Sequence, residues 1–201
     1  MFASRMLMSS IATNKRMVFD GGQSVETGVN VIAVTPTELY VRATVIVEDS
    51  GTSIMAVVSQ NESEDSIFEL RVSSNKASFA IVTESGTFTP VTDSVNIPFG
   101  VPVKLRGAWD GSTMKLFVDD VEKASTAISS IETTNVNNLV TIGRRPDESQ
   151  FFTGIIYDVG VETDAGVLIN VNGYDNVDAG WRDITNSTQY TVVGSPEATY
   201  I

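Results

Sequence analysis

The chain has neither cysteine nor histidine in 201 residues. Without cysteine there is no disulfide framework, no thiolate nucleophile and no cysteine zinc site, and the redox compartment is left open. Without histidine the commonest general base and commonest metal ligand are missing, which excludes Ser-His-Asp chemistry. Positive charge is scarce too: 13 basic residues against 25 acidic ones give a formal charge of -12. That balance argues against the phosphate attraction behind nucleic-acid binding and against contact with an anionic membrane. No apolar run approaches the ~18 residues of a membrane-spanning helix, so no membrane insertion is expected. Oxygen-ligand chemistry stays open, because calcium needs only carboxylates, carbonyls and water.

Long helical periodicity is also absent, and what the chain does contain is period-2 alternation between turn signals. The central stretch is Val101 to Val118. It reads as strand, tight turn at Asp110-Gly111, strand. Val101, Val103, Leu105 and Trp109 share one parity and are expected inward, with Lys104 and Arg106 opposite. In the second strand Met114, Leu116 and Val118 oppose Lys115 and Phe117. Leu39 to Glu48 alternates cleanly, with Leu39, Val41, Ala43, Val45 and Val47 inward and Tyr40, Arg42, Thr44 and Ile46 outward, as in a sheet with one buried face.

Further strands are expected at Arg16 to Phe19, Ile54 to Ser59, Ile67 to Val72, Ala77 to Val82, around Phe88, Val121 to Ala124, Leu139 to Gly143 and Gly154 to Val161. Ser73 to Lys76 reads as a hairpin turn, Asp93 to Pro98 as a turn, and Ser125 to Asn138 as a polar loop anchored by Ile128 and Ile131. About a dozen short strands with turn signals every ~8–12 residues predict an all-β, antiparallel two-sheet β-sandwich. The expected organisation is an N-terminal arm at 1–16, a sandwich domain at 17–163, and a tail at 164–201. That tail, with Val167 to Val171 and Tyr190 to Val193 as its strands, is expected to pack on the sandwich or on a neighbouring subunit. The segment Met1 to Met17 does not read as a signal peptide, since Ser9, Ser10, Thr13 and Asn14 interrupt any apolar core.

Three pieces in order resemble the concanavalin A-like lectin/glucanase superfamily in its laminin-G-like jelly-roll form. They are Ala108-Trp109-Asp110-Gly111-Ser112-Thr113-Met114-Lys115-Leu116-Phe117-Val118-Asp119-Asp120, Leu139-Val140-Thr141-Ile142-Gly143-Arg144, and Phe152-Thr153-Gly154-Ile155-Ile156-Tyr157-Asp158-Val159-Gly160-Val161. Asp120 departs from the family's usual glycine and leaves the turn type open. The segment Gly180-Trp181-Arg182-Asp183-Ile184-Thr185-Asn186, with Thr191 to Pro196, resembles segments beside such domains in bacteriophage tail and fibre proteins. The resemblance implies a bent sandwich whose concave face holds sugars in many relatives, although fold alone assigns no activity.

Glucan-cleaving relatives carry a strand of closely spaced carboxylates, since retaining hydrolysis needs two carboxyls about 5 Å apart. The only cluster of similar density here, Glu62-Ser63-Glu64-Asp65, lies in a polar run and reads as a loop. Candidate calcium ligands are Asp20, Asp110, Asp119 and Asp120, with Asp175, Asn176 and Asp178 in the tail. None shows a fixed ligand spacing, and turn formation explains them as well. Tyr174 and Trp181, in a Gly-rich polar segment, are candidates for glycan stacking or a subunit contact, or simply pack on the sandwich. Arg42, Arg71, Lys104, Arg106 and Lys115 are expected to point away from the core, with Tyr40, Phe117 and Glu69 on the same side of their strands. They form either a ligand face or a set of cross-strand ion pairs, and pairing is favoured.

These features lead to the expectation of a non-enzymatic structural or decoration protein of a virus particle, a phage fibre, tail or capsid-surface subunit. Its lectin-like domain would recognise carbohydrate on a host surface, on an oligomer held at the virion surface among other virion proteins. A stand-alone bacterial carbohydrate-binding module is the alternative, and a degenerate glycoside hydrolase the third reading.

Overall fold

A computed structural model describes residues 15–48, 54–61, 66–133, 138–172, 183, 188, 190–193 and 198–200. Along the chain the strands are β1 Lys15–Asp20, β2 Ser24–Glu26, β3 Leu39–Val47, β4 Ile54–Asn61, β5 Ser66–Ser73, β6 Lys76–Val82, β7 Phe88–Asn96 and β8 Val103–Trp109. They continue with β9 Thr113–Val118, β10 Val121–Ala127, β11 Thr141–Ile142, β12 Thr153–Thr163, β13 Gly166–Asn172, β14 Thr191–Val193 and β15 Ala198–Tyr200. The first sheet runs β10-β9-β8-β3-β12-β1-β15, with β13 also on β12, and the second runs β14-β2-β11-β4-β5-β6-β7. All recorded pairings are antiparallel, giving the two-layer sandwich that the alternation predicts.

The alternating residues of β3, β8 and β9 meet those of β5 and β6 between the layers. Leu39, Val41, Val45, Leu105, Met114 and Leu116 join Phe68, Leu70, Val72, Phe79 and Ile81 in one buried cluster. Trp109 is 4 % exposed, and its indole N–H donates to the Ile128 carbonyl at 2.8 Å, so the ring is core, as its parity predicts. Ile128 and Ile131 are buried and anchor the long polar loop from beneath.

Several boundaries differ from the sequence reading. Val101 is 49 % exposed and precedes the strand, because Gly100 and Pro102 lead the chain in from the rim. The loop joining β8 to β9 is longer than a tight Asp-Gly turn. Trp109 pairs with Met114, and Asp110 Oδ1 accepts from Ser112 Oγ at 2.8 Å and from the Thr113 and Ser112 N–H groups at 2.8 and 3.0 Å. The two-residue turn falls instead at Asp119-Asp120, both at positive φ, 49° and 64°, as a type I′ hairpin requires. The Ser74-Asn75 turn, at 48° and 64°, is of the same kind. Asp93 to Asn96 extends β7 rather than turning, and Leu139 and Val140 precede β11, with Leu139 exposed.

C-terminal to residue 163, β13 pairs with the second half of β12, β14 lines the edge of the second sheet beside β2, and β15 lines β1. Asp183 fastens this region to β13: its Oδ2 accepts from the Asn170 N–H at 3.0 Å and from the Tyr190 hydroxyl at 2.7 Å. Burial, and then that bond to Asp183, push the Tyr190 phenol well above its ordinary pKa.

Candidate functional site on the outer face of the first sheet

Register places Phe117, Arg106, Arg42, Gly160 and Asn170 side by side across five strands, from β9 through β8, β3 and β12 to β13. A second row sets Lys104 beside Thr44 and Asp158. These side chains point away from the core because their strand neighbours fill it. Thr44, short between Lys104 and Asp158, leaves room for a hollow of about 490 Å³ lined also by Arg42, Lys104, Arg106, Asp120, Asp158 and Asn170.

Arg42 is fully engaged. Nη1 donates to Asp158 Oδ1 at 3.0 Å and Nη2 to Asn170 Oδ1 at 3.1 Å, and Glu162 lies 3.9 Å from Nε. Its guanidinium lies across Gly160, where an added Cβ would come within 2.6 Å of Nε. The variant Gly160→Ala is therefore expected to lift the guanidinium off Asp158 and Asn170 while costing no more than about 1 kcal/mol, since the displaced pair is half-exposed. Urea melts and a crystal structure of the variant check this, and an unmoved Arg42 refutes it.

Lys104 meets Asp120 at 3.4 Å and Lys115 meets Glu122 at 3.9 Å, so cross-strand pairing accounts for these cations along with Arg42. Arg106 is different. Its guanidinium carbon sits 3.7 Å from the centroid of the Phe117 ring, and among the described residues no carboxylate lies within ion-pairing distance. The Tyr40 hydroxyl donates to Glu38 Oε2 at 3.1 Å, and burial followed by Glu38 raises its pKa, against an opposing pull from nearby Arg106.

The structure thus gathers Tyr40, Arg42, Lys104, Arg106, Lys115 and Phe117 on one face, while Arg71 is a correction. It does point away from the inter-sheet core, but from the second sheet, and it is buried beneath the loop from Gly143 to Phe152. There it approaches Glu69 at 3.9 Å and lies 4.9 Å from the Phe88 ring. Tyr174, Trp181, Glu62, Glu64, Asp65, Asp175, Asn176 and Asp178 lie outside the described residues.

The calcium candidates do not converge. Asp110 and Asp119-Asp120 occupy opposite ends of β9, about 20 Å apart for a strand of this length. The Asp110 carboxyl is spent on its turn: the Ser112 hydroxyl, then the Thr113 and Ser112 N–H groups, hold it below the usual carboxylate range. Asp119 Oδ1 accepts from the Lys104 N–H at 3.0 Å, and Asp20 sits at the β1 turn beside Gly21 and Gly22. Among the described residues no three acidic groups come together to hold a metal.

Asp158 and Asn170 were missed in the sequence as lining residues. A bulge between Ile156 and Asp158, opposite Val45 and Thr44, inserts Tyr157 and resets the parity that follows. That shift lets Ile156 and Val159, three apart, both reach the core between the sheets.

Among solved structures, the fold is shared with a Bacteroides ovatus protein described as carbohydrate-binding (TM-score 0.73, 11% identity, 94% of this chain and 60% of that one). The chain thus spans about three fifths of that protein's length. It is also shared with the CBM40 domain of a Ruminococcus gnavus IT-sialidase (TM-score 0.55, 11% identity, 73% of this chain and 89% of that one). A further similar structure is domain 4 of a GH43 extracellular arabinanase from Geobacillus stearothermophilus, solved with arabinotriose (TM-score 0.56, 17% identity, 76% and 71%). At these identities the likeness is one of fold. No curated protein sequence matches the chain. The family model of the Concanavalin A-like lectin/glucanases superfamily matches residues 19–165, most of the sandwich including the β8-β9 and β9-β10 hairpins, and the chain belongs to that superfamily.

Proposed function

We propose that the chain is a non-enzymatic carbohydrate-binding domain and that the outer face of its first sheet is the binding surface. The observation that carries this reading is the hollow beside the Arg106–Phe117 stack. It has the volume of a small-ligand site, is open to one side, and is edged by donors from Arg106 and Lys104 and acceptors from Asp120, Asp158 and Asn170. A sugar ring presents hydroxyls that both donate and accept, which such an edge satisfies. The same carboxylates are poor candidates for hydrolysis: Asp158 is engaged by Arg42 and Asp120 by Lys104, unlike the general acid of a glycosidase, which sits in an apolar setting.

Isothermal titration against a broad oligosaccharide panel tests the reading. Saturable binding that weakens at least ten-fold in Gly160→Ala or Arg106→Ala supports it. Binding unaltered by both variants places the site elsewhere, and turnover of any glycan in the panel removes the non-enzymatic assignment.

The second reading concerns where the domain is carried: a fibre, tail or capsid-surface subunit of a virus particle, favoured by the resemblance of Gly180 to Pro196 to segments of phage tail and fibre proteins. Light scattering on the purified chain separates it from a stand-alone bacterial module. A symmetric oligomer that dissociates when residues 1–14 are removed supports the particle subunit, and a monomer supports the module.

A further inference from the structure

Resting on the carbohydrate-binding reading, we infer that the saccharide taken at this face is acidic, with its carboxylate received by the guanidinium of Arg106. Of the four cations described above, three are matched by acids within 4 Å, namely Arg42 by Asp158 and Glu162, Lys104 by Asp120, and Lys115 by Glu122. Arg106 stacks on the Phe117 ring and has no carboxylate within ion-pairing distance among the described residues. Stacking uses the face of the guanidinium and leaves its in-plane N–H groups free, and those form a planar fork matched to a carboxylate. A neutral hydroxyl satisfies one arm of that fork at most. The ring beneath also holds the guanidinium still, which lowers the entropy lost on binding.

The neighbours are arranged for the remainder of such a ligand. Lys104 adds a second donor on the same strand, while Asp158, Asn170 and Asp120 border the hollow as acceptors for hydroxyl groups. An acidic sugar carries both kinds of group on one ring. The net charge of -12 repels any anion at long range, but screening confines that repulsion to about 8 Å at physiological salt, so contact at Arg106 is decided locally. Nor does this site need a metal, since the cation is supplied by the protein.

Matched pairs of probes test the inference on the full chain: trigalacturonate against its methyl ester, and 3′-sialyllactose against lactose. At least one acidic member should bind ten-fold or more tightly than its neutral partner. That preference should fall about ten- to hundred-fold in Arg106→Ala, the loss expected for a charge-assisted pair, fall less in Arg106→Lys, and persist in EDTA. Phe117→Leu keeps the charge and removes the stack, and should weaken acid binding several-fold. Thermal melts within a few degrees of the parent confirm folding for each variant. Equal or tighter binding of the neutral members overturns the inference and leaves the carbohydrate reading standing. Acid binding indifferent to Arg106 overturns the assigned residue. Failure of these probes and of the whole neutral panel overturns both readings.

Discussion

Replacing Glu69 with alanine is expected to destabilise the fold by about 3–5 kcal/mol, the cost of breaking a buried ionic network by removing one partner. Glu69 is completely buried on the outward side of β5. Its Oε2 lies 3.9 Å from Arg71 Nη1 and 3.8 Å from Arg145 Nε. With its amide turned to satisfy both neighbours, Gln150 donates to Glu69 Oε1 at 3.0 Å and accepts from Arg145 Nη1 at 3.1 Å. Burial already pulls the Arg71 pKa below its ordinary value, with Glu69 opposing that pull. Removal of the carboxylate leaves two guanidinium groups facing each other under a loop whose backbone is sewn to β4, by Gly143 N–H to the Val57 carbonyl at 3.0 Å and Ala56 N–H to the Gln150 carbonyl at 2.8 Å. That loop should loosen first. Urea denaturation measures the loss, and hydrogen exchange at Ala56 and Gly143 locates it. The triple variant Glu69→Leu, Arg71→Met, Arg145→Met should recover much of the stability. A loss below about 1 kcal/mol in Glu69→Ala would mean that water reaches the cluster and that burial does not govern its energy.

This cluster also shows where sequence reasoning stops. Apart from Val101, period-2 alternation assigned the inward set of β3, β8 and β9 correctly, because each strand buries one face and a one-residue slip would turn every side chain over. It also put Arg71 on the outward side of its strand, which is right. Parity says nothing of what later covers a face, however, and the loop from Gly143 to Phe152 arrives from some 70 residues further along the chain. An outward position on the first sheet thus became a surface, and the equivalent position on the second became an interior. Asp158 was hidden for another reason, since the bulge at Tyr157 breaks the alternation used to find partners. Pairing among Arg42, Lys104 and Lys115 was foreseen as a class, whereas the isolation of Arg106 depends on which strand lies beside which and has no signature in the order of residues.

Gly107 carries the other large expectation. On β8 it shares the inward parity of Val103, Leu105 and Trp109, yet it has no side chain, and the Phe79 ring from the opposing sheet occupies the space. A Cβ at Gly107 would lie 2.3 Å from the Phe79 ring atoms Cγ and Cδ2, far inside contact distance. Phe79 is completely buried and cannot swing into solvent, so either the sheets separate locally or the ring leaves its rotamer. Gly107→Ala is expected to cost about 3 kcal/mol, the upper part of the usual overpacking range, and to lower the melting temperature by ~6–12 °C for a chain of this size. Gly107→Val should prevent folding to a single state. The decisive comparison is the cycle with Phe79→Leu. Alone, that change leaves a void above Gly107, and combined with Gly107→Ala the new methyl partly fills it, so the double variant should be more stable than the sum of the two losses by 1 kcal/mol or more, a coupling of roughly the size found between contacting residues. Strict additivity would show that the two residues do not share the space between the sheets. Because Arg106 and Ala108 flank Gly107 on β8 with outward parity, separation of the sheets here would also tilt the strand that bears the binding face. Gly107→Ala should therefore weaken ligand affinity along with stability, and the rescued double variant should regain both.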